Sequence, residues 1–272
     1  MSDQAIQLMQ GESLKLVQGD SLELMSFIPT HSIDLVVTDP AYWTLDKYRT
    51  GKIAGSKTRF GGNRDEAKRD DSQWFETVTP SDLYELLCDM GRVLKPNRHA
   101  WVMCDGETSG MIWQIFNDGE TGFDYCKLYP VLKRTADGKA YRTGMGYHGR
   151  GCHEYVMLLE KGRRRFTTEN WCDVFEAPWA GDSETRSLTA NGKGFPTAKP
   201  VSLFRRWIEL SSLLGETVLD YFTGSGTTGA ACIETGRRFI GIEKSVVNCA
   251  VAQKRLHHTS PSLFADDEKE TA

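Results

Sequence analysis

The chain has 272 residues, of which 39% are apolar and 26% charged, with a formal net charge of −4. That suits one sizeable α/β domain with insertions and a soluble globular make-up. No apolar run nears the roughly 18–20 residues of a membrane span, and the opening MSDQAIQLMQ lacks the basic-then-apolar pattern of a secretory leader. The seven cysteines form no C-x-x-C pair, which argues against a disulfide frame or a thiolate zinc site and for a reducing compartment.

In chain order, Leu14–Val17 predicts a short strand ending at Gly19-Asp20. Ile33–Thr38 (IDLVVT) reads as a buried parallel strand that stops at Asp39-Pro40. Residues 45–72 are polar, basic and aperiodic, the mark of a long mobile loop. Ser81 and Asp82 are candidate caps for a helix to about Leu94, with Leu83, Leu86, Leu87, Met90 and Leu94 on one stripe. Ala100–Cys104 predicts a strand, Gly106–Asn117 a helix, and Phe123–Leu132 and Glu154–Leu159 two further strands. Residues 161–196 are turn-rich without a period. A helix follows over about Pro200 to Leu213. Thr217–Tyr221, Thr227–Glu234, Arg238–Glu243 and Ser245–His257 then alternate strand, helix, strand, helix. Such alternation implies a Rossmann-like, doubly wound, mostly parallel sheet with helices on both faces and ligands at the carboxyl ends of its strands.

Two loops carry chemistry. The first is VLDYFTGSGTTGAACIETGRRFIGIE (Val218–Glu243). Gly224, Gly226 and Gly229 form G-x-G-x-x-G between a strand and a helix, where a ligand approaches bare backbone. No lysine follows, so it is not a P-loop. Glu243 ends the next strand, where a carboxylate can accept from both ribose hydroxyls of an adenosine. Asp220 sits where it could accept from a ligand amino group. The second loop is Asp39, Pro40, Ala41, Tyr42 (DPAY), stiffened by its proline. The Asp39 carboxylate and the Pro40 carbonyl can each accept one N–H of a planar amine, and Tyr42 can stack on a base. Accepting both hydrogens draws the nitrogen towards tetrahedral geometry and frees its lone pair for attack on a methyl sulfonium. The six histidines show no ligand spacing, so no metal is expected.

Charge is uneven. From Lys127 to Arg165 there are ten Lys/Arg against three Asp/Glu, and from Lys47 to Arg64 six against none. Candidate phosphate contacts are Lys47, Arg49, Lys52, Lys57, Arg59 and Arg64 in the first loop, Arg142, His148 and Arg150 in YRTGMGYHGRG, and Arg163, Arg164 and Arg165.

Together these motifs resemble the β-class DNA amino-methyltransferases, the N6-adenine and N4-cytosine enzymes of bacteria and their phages. In that class a D-P-P-Y-type motif precedes an F-x-G-x-G cofactor loop, as Asp39–Tyr42 precedes Phe222–Gly226 here. Gly19-Asp20, His153-Glu154 and TAKPVSLFRRWIELSS (Thr197–Ser212) resemble further family segments in the family's order. The second family proline is Ala41, a contact made through the backbone. The resemblance implies S-adenosylmethionine as cofactor, held by Asp20, Lys199, Pro200, Asp220, Phe222, Thr223, Gly224, Ser225, Gly226, Thr228 and Glu243. It implies a double-stranded DNA substrate with a flipped target base, adenine N6 before cytosine N4 because the motif opens with Asp, and a cytoplasmic, bacterial or phage setting. The expected organisation is 1–160 as the catalytic half, 161–196 as a target-recognition insertion, 197–260 as the cofactor-binding half and 261–272 as an acidic tail. A homodimer fits this picture. RNA or protein-amide methylation, a nicotinamide oxidoreductase and an inactive DNA-binding module remain as alternatives.

Overall fold

The computed structural model describes residues 13–42, 77–141, 151–179, 195 and 198–260. The basic loop 45–72 with the six candidate cations from Lys47 to Arg64, together with Arg142, His148 and Arg150, lies outside them, as does the acidic tail.

The described strands are β1 (Leu14–Gln18), β2 (Ile33–Thr38), β3 (Leu94–Cys104), β4 (Tyr125–Arg134), β5 (His153–Lys161), β6 (Phe175–Pro178), β7 (Thr217–Asp220) and β8 (Arg238–Glu243). They form one sheet in the order β1-β8-β7-β2-β3-β5-β4-β6. Only β5 runs against the rest, antiparallel to both β3 and β4. The helices are α1 (Ser21–Leu24), α2 (Pro80–Val93), α3 (Gly106–Asn117), α4 (Val201–Ser211), α5 (Thr227–Glu234) and α6 (Val246–His258). None is long and apolar enough to cross a membrane.

The apolar run of β2 is buried throughout because both faces of the sheet are covered. Alternate residues part to opposite faces. Val36 joins Ala100, Val102 and the α2 stripe of Leu83, Leu86, Leu87 and Met90. Leu35 and Val37 join Trp101 and the α4 residues Leu203, Phe204, Trp207 and Ile208. The cap of α2 differs from expectation. Thr79 is the N-cap, Pro80 starts the helix, and Asp82 closes a capping box with Thr79. β3 starts six residues earlier than its apolar run, and its polar start KPNRH has a structural use. Lys95 Nζ and Arg98 Nη2 reach Asp34 Oδ1 at 2.7 and 3.2 Å.

Residues 161–179 are mostly exposed, but Phe175, Ala177 and Trp179 are buried and join the core. β6 adds to the sheet beside β4. Trp171 and Phe166 pack on Trp101, which itself stacks on Trp207 at 5.9 Å between ring centres.

Two strands meet at the centre where the winding reverses: β2 leads through α2 to β3 on one side, and β7 through α5 to β8 on the other. β2 and β7 share only two register pairs, Leu35↔Val218 and Val36↔Leu219. A ligand crevice belongs at such a switch point, outside the carboxyl ends.

At the opposite edge Asp34 also accepts from the Thr217 N–H at 3.0 Å. Burial raises its carboxyl, but Lys95, the Thr217 N–H and Arg98 outweigh burial and hold it below the usual aspartate value of 3.8. A depressed folded-state pKa gives stability above the unfolded value that is lost as the pH falls through the folded one. Asp34→Ala should therefore lower unfolding free energy at pH 7 by about 2–3 kcal/mol. The gap between urea melts of the two proteins should narrow as the pH falls below 3.8 and Asp34 takes up its proton in the folded chain as well.

Candidate active site

The ends of β1, β8, β7 and β2 lie on one rim, and a cavity of about 530 Å³ opens there. Its walls bring together nearly all the residues singled out from the two loops. Asp39, Pro40, Ala41 and Tyr42 line one side, and Asp220 with Phe222, Thr223, Gly224 and Ser225 the other. Glu243 and Asp20 close the far end, while Lys199 and Thr228 also border it. Two residues expected there do not line it. Gly226 caps α5 with φ 84°, and an added Cβ would sit 3.2 Å from the Ala252 backbone, so it serves the turn and the approach of α6. Pro200 instead precedes α4 as its N-cap.

The catalytic turn is held from both flanks. Tyr42 Oη donates to Asp39 Oδ1 at 2.8 Å, and Lys199 Nζ pairs with Asp39 Oδ2 at 2.8 Å. Burial and the neighbouring Asp39 and Glu154 carboxylates push the Tyr42 phenol well above its ordinary value, so it remains a donor. Burial disfavours the Lys199 ammonium, but Asp39 and Glu154 more than compensate and keep it charged. The Ala41 carbonyl accepts from the Val78 N–H at 2.8 Å. Among the described residues no donor reaches the Pro40 carbonyl. The turn therefore brings two acceptors to the cavity wall, the Asp39 carboxylate and the Pro40 carbonyl.

Asp220, expected to face a ligand, lines the cavity and also braces it. Its Oδ1 accepts from Thr38 Oγ1 at 2.7 Å and Phe222 N at 3.0 Å, and its Oδ2 from Thr228 Oγ1 at 2.5 Å. Burial pushes its pKa up to about 6 despite those three donors. Glu243 behaves similarly. Oε2 accepts from Gly224 N at 2.7 Å, and Oε1 from Ser245 N at 2.8 Å and Asn248 Nδ2 at 3.4 Å. It shapes the glycine loop while still edging the cavity. Asp20 caps α1 through Leu22 N and pairs with Lys244 at 2.9 Å.

Arg255 and Lys133 escaped the sequence reading, and Glu154 entered it only within the His153-Glu154 segment. Arg255 on α6 lies buried under the glycine loop, donating to Ser225 Oγ at 3.2 Å and Thr227 Oγ1 at 3.0 Å. Glu154 Oε1 pairs with Lys133 Nζ at 2.6 Å, and its Oε2 stands 3.5 Å from Lys199 Nζ. Signals existed. Lys133 occupies the inward parity of Tyr129 and Val131, and Arg255 falls on the buried stripe of Asn248 and Ala252. Arg163, Arg164 and Arg165, expected as phosphate contacts, follow the end of β5. β5 runs backwards, so Lys161 pairs with Arg98 at the edge away from the cavity. There Arg164 Nη2 is paired with Glu216 at 2.8 Å.

The cavity's size lies within the roughly 300–1,000 Å³ of small-molecule sites. A glycine-bearing loop, an acid at the end of β8 and further carboxylates suit an adenosine-bearing cation. Residues 33–254 match the family model N6_N4_Mtase, described as DNA methylase. Among curated proteins, the chain is 26% identical over 274 residues to the DNA adenine methyltransferase YhdJ of Escherichia coli (strain K12), covering 90% of this chain and 84% of that protein. It is 27% identical over 252 residues to the type II methyltransferase M.HinfI of Haemophilus influenzae, covering 86% and 66%. Among solved structures, an M1.HpyAVI–SAM complex superposes with a TM-score of 0.62 at 20% identity, covering 89% of this chain and 98% of that one. The cytosine-N4-specific PvuII DNA methyltransferase gives 0.62 at 16% identity, covering 91% and 89%.

Each oxygen of Glu243 faces donors, so Glu243→Gln must turn an amide NH₂ against one of them. Isothermal calorimetry should show S-adenosylmethionine affinity falling by about 10-fold or more. Asp220→Asn is milder, because Thr228 can rotate its hydroxyl to accept. A raised folded-state pKa means Asp220 favours folding fully below about 3.8 and loses that contribution as the pH rises through about 6. Thermal melts from pH 4 to 7 should show this decline in the parent and a flatter profile in Asp220→Asn.

Proposed function

Given that the chain belongs to the N6_N4_Mtase family of DNA methylases, we propose that it methylates the N6 amino group of a flipped adenine in double-stranded DNA. It is an S-adenosylmethionine-dependent DNA amino-methyltransferase, and the cofactor supplies an electrophilic methyl on its sulfonium. The observation that carries the reading is the acceptor pair of Asp39 and Pro40 on the same cavity as the glycine loop. Asp39 and the Pro40 carbonyl accept the two N–H groups of the amine, and the ring of Tyr42 covers the base. That grip concentrates the nitrogen lone pair towards the cofactor side of the cavity. Orientation and preorganised dipoles do most of the work, with no covalent intermediate on the protein. A base stacked in a duplex cannot enter such a cavity, hence the need for flipping.

Adenine is favoured by the aspartate that opens the motif and by the likeness to YhdJ, named as an adenine enzyme. N4-cytosine is the second reading, favoured by the equal structural likeness to the PvuII enzyme. Both amines present two N–H groups to the same acceptors. For DNA contact the reading relies on the basic stretch 47–64 and on Arg142, His148 and Arg150. For target recognition the reading keeps residues 161–196, of which Phe175–Pro178 also extend the sheet.

Asp39→Ala should abolish methyl transfer to duplex DNA while leaving the thermal melt of the folded protein in place. Methylation-aware sequencing of DNA from cells expressing the chain should find N6-methyladenine in one short motif, and N4-methylcytosine there would reverse the base assignment. Replacing Arg59 and Arg64 by Ala should flatten the dependence of log affinity on log salt by about 2. An unchanged slope removes that loop from the interface.

A further inference from the structure

The Asp39–Lys199 pair does not stand alone. From the cavity outward, the charges alternate: Asp39, Lys199, Glu154, Lys133. Lys199 Nζ lies 2.8 Å from Asp39 Oδ2 and 3.5 Å from Glu154 Oε2, and Glu154 Oε1 lies 2.6 Å from Lys133 Nζ. Lys133 also rests over the Trp179 ring at 4.6 Å. Their side chains are 8 to 21% exposed, so bulk water screens these charges weakly. The topology builds the chain. β5 alone is reversed, which carries Glu154, near its start, to the rim where the other strands end, opposite Val131 of β4.

The chain resolves a conflict in the site. Asp39 Oδ1 accepts from Tyr42 and Oδ2 is paired with Lys199, so a target N–H must share one of these oxygens with a donor already in place. An ammonium with one carboxylate partner in a shielded site would stay closed on it. Glu154 offers Lys199 a second partner at similar range. Its Oε2 is buried and takes no hydrogen bond among the described residues.

We propose that Glu154 is a positioning residue for methyl transfer: it draws Lys199 away from Asp39 Oδ2 when the target amine enters, and Lys133 anchors it in place. The exchange moves one ammonium by a short distance and transfers no proton. Before the base arrives Lys199 guards the carboxylate, and afterwards it neutralises Glu154. This rests on the reading of Asp39 as the acceptor of the amine.

The test uses the full chain on duplex DNA carrying its mapped target. Glu154→Gln should lower kcat by about 10-fold or more, with KM for DNA and Kd for S-adenosylmethionine within about threefold. Glu154→Asp, which keeps the charge, should recover part of the loss. Glu154→Gln combined with Lys133→Gln should restore the thermal melt, since it removes the orphaned lysine charge, but leave kcat low. Recovery of the parental kcat in that double variant would show that Glu154 serves only Lys133 and would overturn the proposal, as would a parental kcat in Glu154→Gln alone. Asp39→Ala run beside them separates the two readings. If it is inactive while Glu154→Gln is unimpaired, only the positioning role fails. If it is active, the acceptor role of Asp39 fails and the positioning role with it.

Discussion

One buried carboxylate sets the distance between the two loops of the active site. Asp220 ends β7 and takes the hydroxyl of Thr38, the residue immediately before Asp39. It also takes the Phe222 N–H at the start of the glycine loop and the Thr228 hydroxyl in the first turn of α5. β2 and β7 pair at only two positions, so backbone hydrogen bonds alone would let their ends part freely. The crevice needs that parting, and the side-chain tie limits it. Hydrogen bonds to a charged acceptor are worth about 1.5–3 kcal/mol each, against about 1 for a neutral one. Placing an ionisable group at this junction therefore gives a stiffer joint than a serine or asparagine would, at the expense of burying its charge.

Glu243 repeats the device one strand over. Its carboxylate gathers Gly224, Ser245 and Asn248, so the glycine loop and the start of α6 move as one piece. Arg255 supports the same loop from below. Glycine permits the close turn at Gly226, yet permissive backbone is also loose backbone. The surrounding carboxylate and guanidinium supply the order that the glycines lack. Cofactor binding then meets a loop whose entropy has largely been removed by folding.

This division explains which parts were legible in the sequence. The strand runs IDLVVT and RFIGIE, the stripe of α2 and the glycine loop declare themselves locally, because apolar spacing and turn chemistry act over a few residues. The rim of the doubly wound sheet follows from them, and with it the meeting of Asp39 and the loop. Side-chain ties between distant segments leave no such trace. Thr38 reads as an ordinary strand residue until Asp220, 182 positions away, is folded beside it. The start of β3 hid for the opposite reason. Its polar residues contradict a strand pattern, and only their pairing with Asp34 explains them. Charge counting at Arg163–Arg165 carries no position, since a sum along the chain ignores that β5 delivers them to the edge away from the cavity, where Arg164 pairs with Glu216.

The walls also bear on binding. Asp20, Asp39, Asp220 and Glu243 border the cavity with only Lys199 and Lys244 opposing them, a balance of minus two when all are ionised. Lys244 is committed to Asp20 and Lys199 to Asp39, while the Arg255 guanidinium beneath the glycine loop offsets part of the charge of Asp220 and Glu243. The carboxylates that brace the loop therefore also set the sign of this wall, and a weakly screened wall of negative sign suits a cationic ligand better than a neutral one.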